Sequence, residues 1–192
     1  MKSKFNIAIG GGPCTGKSTL AAALFAELKE RGYDWDLVPE ESRTLKGEMG
    51  SCRSPFERLY FWRQQERQEL RSSGVNGFIT DSPLYHQYVK AMQYSQEPRD
   101  KLAVRELFRW CTEIQDQNRY QLFIMAEDPF EIGYKKDAVR VSAENEARRR
   151  HLLIRSFVEH FSPDILFFVK GSVRERVAAA CQRLRELGVI TN

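Results

Sequence analysis

The sequence predicts an α/β fold in which a parallel sheet is covered by helices on both faces. Short apolar runs alternate with longer stretches of helical periodicity, and no repeat or low-complexity linker breaks the alternation. The chain has 192 residues, 42% of them hydrophobic, which suffices for one core and hardly for two. A single domain over residues 1–192 is expected.

Five strands are read in order: Phe5 to Gly10, Trp35 to Pro39, Gly77 to Thr80, Leu122 to Ala126 and Ile165 to Val169. The first helix runs from Lys17 to about Arg31, where Gly32 supplies the left-handed stop. Ser54 followed by Pro55 starts a second long helix that reaches about Ser72. Helical pattern persists from Pro83 to Tyr94 and from Pro98 to about Asn118, a helical excursion between the third and fourth strands where an acceptor pocket is expected. A polar stretch, EDPFEIGYKKDAVRVS, leads into a helix from Ser142 whose first turn carries Glu144 and Glu146, acids that suit the helix dipole. The last helix spans Ser172 to Leu187.

Composition narrows the function classes. No apolar stretch approaches the roughly eighteen residues of a membrane span, and the apolar part of MKSKFNIAIGGG is too short for a secretory signal, so a cytoplasmic protein without membrane contact is expected. Cys14, Cys52, Cys111 and Cys181 are scattered without CxxC spacing, which points away from disulfides and zinc. The net charge is +4, and arginines (20) outnumber lysines (10). Guanidinium groups suit phosphate, although most of these arginines are expected on solvated helix faces beside the 26 acids.

The stretch IAIGGGPCTGKSTLAAALF carries the chemistry. Gly11, Gly16, Lys17 and Ser18 match G-x-x-x-x-G-K-[ST], with a strand before and a helix after, as a phosphate-binding P-loop requires. The loop Gly11, Gly12, Pro13, Cys14, Thr15, Gly16, Lys17, Ser18, Thr19 is therefore expected to hold ATP. Its N–H groups and the helix N-terminus would cradle the phosphates, Lys17 would reach the β and γ groups, and Ser18 would offer an oxygen to Mg²⁺. Pro13 contributes no N–H, and Cys14 enters as a small side chain.

Asp81 follows the third strand at the rim where α/β sheets bind ligands; it is read as a magnesium-side carboxylate or as proton acceptor, with helix capping as the structural alternative. The second strand ends in VPEESR, where Glu40 could orient or deprotonate an acceptor hydroxyl and Arg43 could clamp a phosphate or a base edge. Glu41 reads equally well as a salt-bridged helix start. Lys135, Lys136, Arg140, Arg148, Arg149 and Arg150 crowd the segment after the fourth strand, a lid over about residues 127–150 that could close on a transferring phosphoryl group. Arg148 to Arg150 are consecutive on a helix and cannot share one direction.

These motifs, GGPCTGKSTLAAALFAELKERG, LVPEES, FITDSPL and VRVSAENEAR, together resemble phage-type P-loop kinases of the group related to the nicotinamide riboside kinase domain, over about Ile7 to Phe161. That group includes enzymes that phosphorylate hydroxymethyluracil in phage DNA, and it is more distantly similar to thymidylate and polynucleotide kinases. The resemblance implies the P-loop NTPase fold with sheet order 2-3-1-4-5, and lid arginines at Arg140 and Arg148. The chain departs from the group at Val139, where relatives place glycine, and at Cys14. Fold analogy alone puts Lys170, Gly171 and Ser172 beside the purine.

For the acceptor, Trp62, Arg63 and Arg67 on the second long helix and Tyr85, His86 and Tyr88 after the acid offer rings and guanidinium groups that could stack an extruded base and pair phosphates. Phe56 and Tyr60, at helical spacing, are expected in the core, and His86 as an ordinary polar helix residue. The leading expectation is an ATP-dependent, Mg²⁺-dependent kinase acting on a hydroxyl of modified DNA or another nucleotide-like acceptor. A kinase of free nucleosides or nucleoside monophosphates is the second reading. A nucleotide-hydrolysing switch is the third, against which stand the absence of a DxxG glycine after Asp81 and of an NKxD motif.

Overall fold

A computed structural model describes residues 4–40, 53–128 and 144–191. The runs IAIG, GFIT and LFIMA are apolar on both faces, the pattern of strands sandwiched between two layers. They form β1 (Ile7–Gly10), β3 (Gly77–Thr80) and β4 (Leu122–Ala126), in which every residue is buried. With β2 (Trp35–Val38) and β5 (Leu166–Val169) they make one parallel sheet of order β2-β3-β1-β4-β5. Ile7 lies between Ile79 and Leu122, so β1 is central and its C-terminal end opens in the middle of the sheet edge. This order, with a glycine-rich loop after β1, is the P-loop NTPase fold.

Six helices cover the sheet among the described residues: α1 (Lys17–Glu30), α2 (Pro55–Leu70), α3 (Tyr85–Tyr94), α4 (Asp100–Asp116), α5 (Glu144–Phe161) and α6 (Val173–Glu186). On one face Leu20, Leu24 and Leu28 of α1 and Ala180 and Leu184 of α6 pack on Ile9, Ile79 and Ile124. On the other, Trp62, Val89, Leu107, Trp110 and Ile154 from α2 to α5 pack on Ala8, Phe78, Phe123 and Met125. Local signals set the helix ends. Ser54 and Glu57 form a reciprocal capping box at α2, with Pro55 in the first turn, and Ser172 and Glu175 do the same at α6. Gly32, at φ +81°, closes α1.

Boundaries shift for identifiable reasons. β1 starts at Ile7 rather than Phe5, because Asn6 is committed to other partners: its N–H donates to Gln121 Oε1 and its amide to the Arg119 carbonyl. Ile165 leaves β5 for a short 3-10 turn begun by Pro163. Phe56 and Tyr60 are exposed, at 43% and 45%, which corrects the expectation that they belong to the core.

One buried carboxyl ties α2 to the segment after β3. Tyr120 Oη donates to Glu69 Oε1 at 2.9 Å and accepts the Leu84 N–H at 3.0 Å, while Arg119 Nε lies 3.4 Å from Glu69 Oε2. Burial drives the Glu69 carboxyl up to about 7, against the pull of Arg119 and the Tyr120 hydroxyl. The folded chain thus holds this proton more tightly than the unfolded chain. Its stabilising effect is present at mildly acid pH and is lost as pH rises from the ordinary carboxylate range through about 7. Urea midpoints across that window are expected to fall in the wild type and to flatten in Glu69→Gln; equal slopes would refute the assignment.

Candidate active site

The loop between β1 and α1 bends through left-handed conformations at Gly11 (φ +133°), Cys14 (φ +63°) and Gly16 (φ +80°). Cys14 is buried and bears a β-carbon at a positive φ where glycine is least strained. Gly16 is the N-cap of α1, and Leu20 N–H bonds back to its carbonyl. Within the loop the Gly12 carbonyl is the hub, accepting Lys17 Nζ at 2.6 Å and Thr15 Oγ1 at 3.0 Å. Pro13 and Ser18 are half-buried, whereas Thr19 faces solvent.

Two histidines hold the loop from outside. Gly11 N–H donates to His86 Nε2 on α3 at 3.2 Å, and Gly12 N–H to His151 Nδ1 on α5 at 3.3 Å. Both rings are buried, and burial, followed by the Lys17 ammonium, keeps them neutral: His86 falls well below its ordinary value and His151 drops to about 4. Lys90 and Arg150 also act on His86 as cations and Glu40 as the opposing anion, so Lys17, Glu40, Lys90 and Arg150 share one neighbourhood.

The rim beyond the strands supplies the remaining groups. Asp81 is buried at the end of β3, its N–H bonded to the Val38 carbonyl. It does not cap the next helix: the N-cap of α3 is Leu84, and no side chain bonds there. Glu40 accepts from Lys90 Nζ at 3.4 Å. Gln65 reaches from α2 to the Pro39 carbonyl and Thr80 Oγ1, fastening that helix over the ends of β2 and β3. Arg150 Nε donates to Gln93 Oε1 at 2.7 Å and its Nη2 lies 3.3 Å from Tyr94 Oη, while the buried Arg58 guanidinium stands 5.5 Å from the same tyrosine ring.

On the other side of the loop, the buried Arg176 of α6 donates through Nη1 to the Thr15 carbonyl at 3.0 Å and through Nε to the Gly171 carbonyl at 2.8 Å. It fastens the P-loop to the turn after β5. Arg176→Met leaves both carbonyls without this donor. The expected cost is about 3 kcal/mol of stability, with weakened nucleotide binding, read by urea denaturation and ATP titration.

Several expected site residues lie elsewhere. Trp62 is fully buried against Trp110, ring centroids 5.7 Å apart, and Tyr85 is buried among Tyr120, Phe123, Phe157 and Phe161 with its hydroxyl against Ser162; neither can stack an acceptor. Burial pushes the Tyr85 hydroxyl up to about 12. Arg63 sits on the surface over Trp110 and pairs with Glu66. Arg148 faces outward near Glu144, and it is Arg150, two residues on, that turns inward. Glu41, Arg43, Lys135, Lys136 and Arg140 lie outside the described residues. A hollow of about 600 Å³ does open on the helical excursion, lined by Tyr88, Phe108, Arg105 and Arg109, and among the described residues none of the P-loop or the rim faces it. His86 and Lys90 are four apart in DSPLYHQYVK, a shared helix face that could have marked them; nothing comparable marks His151.

No curated protein sequence matches the chain. Among solved structures it is similar to NadR in complex with NAD and AMP-PNP (TM-score 0.71, 16% identity, 98% of this chain and 51% of that one), so it spans about half the length of the NadR chain. It is also similar to thymidylate kinase from Candida albicans (0.69, 15%, 98% and 96%) and to deoxyadenosine kinase from M. mycoides with products dCMP and dCDP bound (0.65, 11%, 95% and 100%). These likenesses concern the fold. Among the described residues no helix is long and apolar enough to cross a membrane. The AAA_28 family model, described as an AAA domain, matches residues 6–176, which is most of the chain and includes the P-loop, both histidines and Arg176; the chain belongs to this family.

Proposed function

We propose that the chain is an ATP-dependent kinase that transfers the γ-phosphoryl group to a hydroxyl of a nucleotide-like acceptor. The observation that carries this reading is the gathering of Lys17, Glu40, Lys90 and Arg150 about one buried histidine beside a P-loop, with Asp81 on the same rim. Lys17 leaves the Gly12 carbonyl to meet the β and γ phosphates, and the N–H groups at the start of α1 hold their oxygens. Glu40 or Asp81 takes the acceptor proton as its oxygen bonds to the γ phosphorus and the bond to the β-phosphate oxygen breaks, releasing ADP. Ser18 and Asp81 offer a hydroxyl and a carboxylate, hard oxygen donors that fit Mg²⁺, which when bound would offset phosphate charge. Arg150, an inward-facing arginine whose guanidinium now rests on Gln93, Tyr94 and Glu146, would turn to the transferring group.

The favoured acceptor is the hydroxymethyl group of hydroxymethyluracil in DNA. Phe56, Tyr60, Arg63 and Arg67 recur at three- and four-residue intervals along the exposed side of α2, with Arg63 paired to Glu66, and rings and guanidinium groups on one face suit a nucleic acid strand outside the P-loop rim. The second reading, a kinase of free nucleosides or nucleoside monophosphates, draws on the thymidylate and deoxyadenosine kinases of like fold. Transfer of labelled γ-phosphate to plain DNA, hydroxymethyluracil DNA, free nucleosides and nucleoside monophosphates tests both. Label on the modified DNA alone supports the first; label on a free nucleoside or monophosphate supports the second. Nucleotide hydrolysis with no acceptor labelled would overturn the kinase reading in favour of a switch.

A further inference from the structure

Gly12 is held at both of its backbone polar groups. Its N–H donates to His151 on α5, and its carbonyl carries the Lys17 ammonium. Contact with α5 is close enough to forbid a side chain: a β-carbon at Gly12 would lie 2.6 Å from the Ala147 carbonyl and 2.9 Å from the His151 backbone nitrogen. His151 has no solvent exposure, so water cannot replace it as acceptor. We infer that His151 is a positioning residue for the P-loop: it anchors Gly12, whose carbonyl holds the Lys17 ammonium until phosphate draws it away, so that the seat of α5 and the shape of the loop are set together.

A backbone N–H can only donate, so His151 Nδ1 must carry its lone pair and the proton of the neutral ring sits on Nε2. Protonation at Nδ1 turns the acceptor into a donor facing a donor and releases Gly12. The groups acting on this ring are Lys17 from α1 and Arg155 from α5, which oppose protonation, and the Ala126 carbonyl at the end of β4 and Asp128 just past it, which favour it. The neighbouring His86, on Gly11, answers to Lys17, Lys90, Arg150 and, in the opposite sense, Glu40. The bond is therefore intact at neutral pH and opens in acid.

This inference rests on the nucleotide-binding reading of the loop. Asparagine places an amide oxygen near the Nδ1 position and does not titrate, whereas leucine fills similar space with no acceptor. Binding of a fluorescent ATP analogue is expected to weaken on the order of tenfold in His151→Leu and to stay near wild type in His151→Asn. Wild-type affinity should fall as pH drops toward about 4, and the asparagine variant should lose that acid limb, circular dichroism confirming the fold at each pH. Leucine binding as wild type does, or asparagine keeping the acid limb, would overturn the inference. Nitrogen-15 NMR of the wild-type protein gives a second measurement that needs no variant and no nucleotide. Ring shifts of a neutral, Nε2-protonated His151 and slow exchange of the Gly12 amide are expected. A protonated Nδ1 or a rapidly exchanging Gly12 amide would refute the bond. Failure of the wild type to bind any nucleotide would instead sink the P-loop reading, and the NMR result would still decide the anchor.

Discussion

Lys17→Ala is expected to reduce phosphoryl transfer by about a thousandfold or more while moving the melting temperature by no more than about 2 °C. The lysine stands at the first turn of α1, half-buried, with the Gly12 carbonyl among its contacts. Removing it deletes the charge meant for the phosphates but leaves both apolar layers in place. Its loss should also make His86 and His151 more basic, because the ammonium is the largest electrostatic influence that lowers each. Label transfer, calorimetry and histidine titration by NMR read the three effects. Retained transfer would mean that the loop does not act on phosphate.

Trp62→Ala is expected to do the reverse, costing about 4 kcal/mol and lowering the melting temperature by roughly 10 °C, with little change in acceptor KM for the protein that stays folded. The indole is fully buried against Trp110, and its deletion leaves a cavity beneath α2. The indole nitrogen has no hydrogen-bond partner among the described residues, so Trp62→Phe should cost much less, within about 1 kcal/mol, since it also removes a buried unsatisfied donor. A stable Trp62→Ala protein with a raised acceptor KM would restore the stacking role read from the sequence.

The contrast shows what the sequence can say about such a site. β3, β4, the P-loop and the capped start of α2 were legible because each is written locally, in an apolar run, a glycine spacing or a Ser-Pro-x-Glu cap. The positions of Asp81 and Glu40 just past the ends of β3 and β2 could be read because apolar runs end there, and their chemical roles belong to the proposal above. Trp62 and Tyr85 were misplaced because an aromatic at helical spacing has two possible faces, and only packing against Trp110 or Phe123 decides between them. The same ambiguity ran the other way for Phe56 and Tyr60. His86, His151 and Arg176 were hidden for another reason. Each acts on a loop 75 or more residues away in sequence, so no local spacing announces it.

Arg176 has a consequence for the order in which the chain can become competent during synthesis. The P-loop leaves the ribosome well before α6, and its Thr15 carbonyl waits for a guanidinium made 161 residues later. β1 likewise waits for β3 and β4, its two neighbours in the sheet. A nascent chain should therefore show no nucleotide affinity until α6 has emerged, and stalled fragments ending before Val173 should fail to retain ATP even though they contain the whole glycine-rich motif.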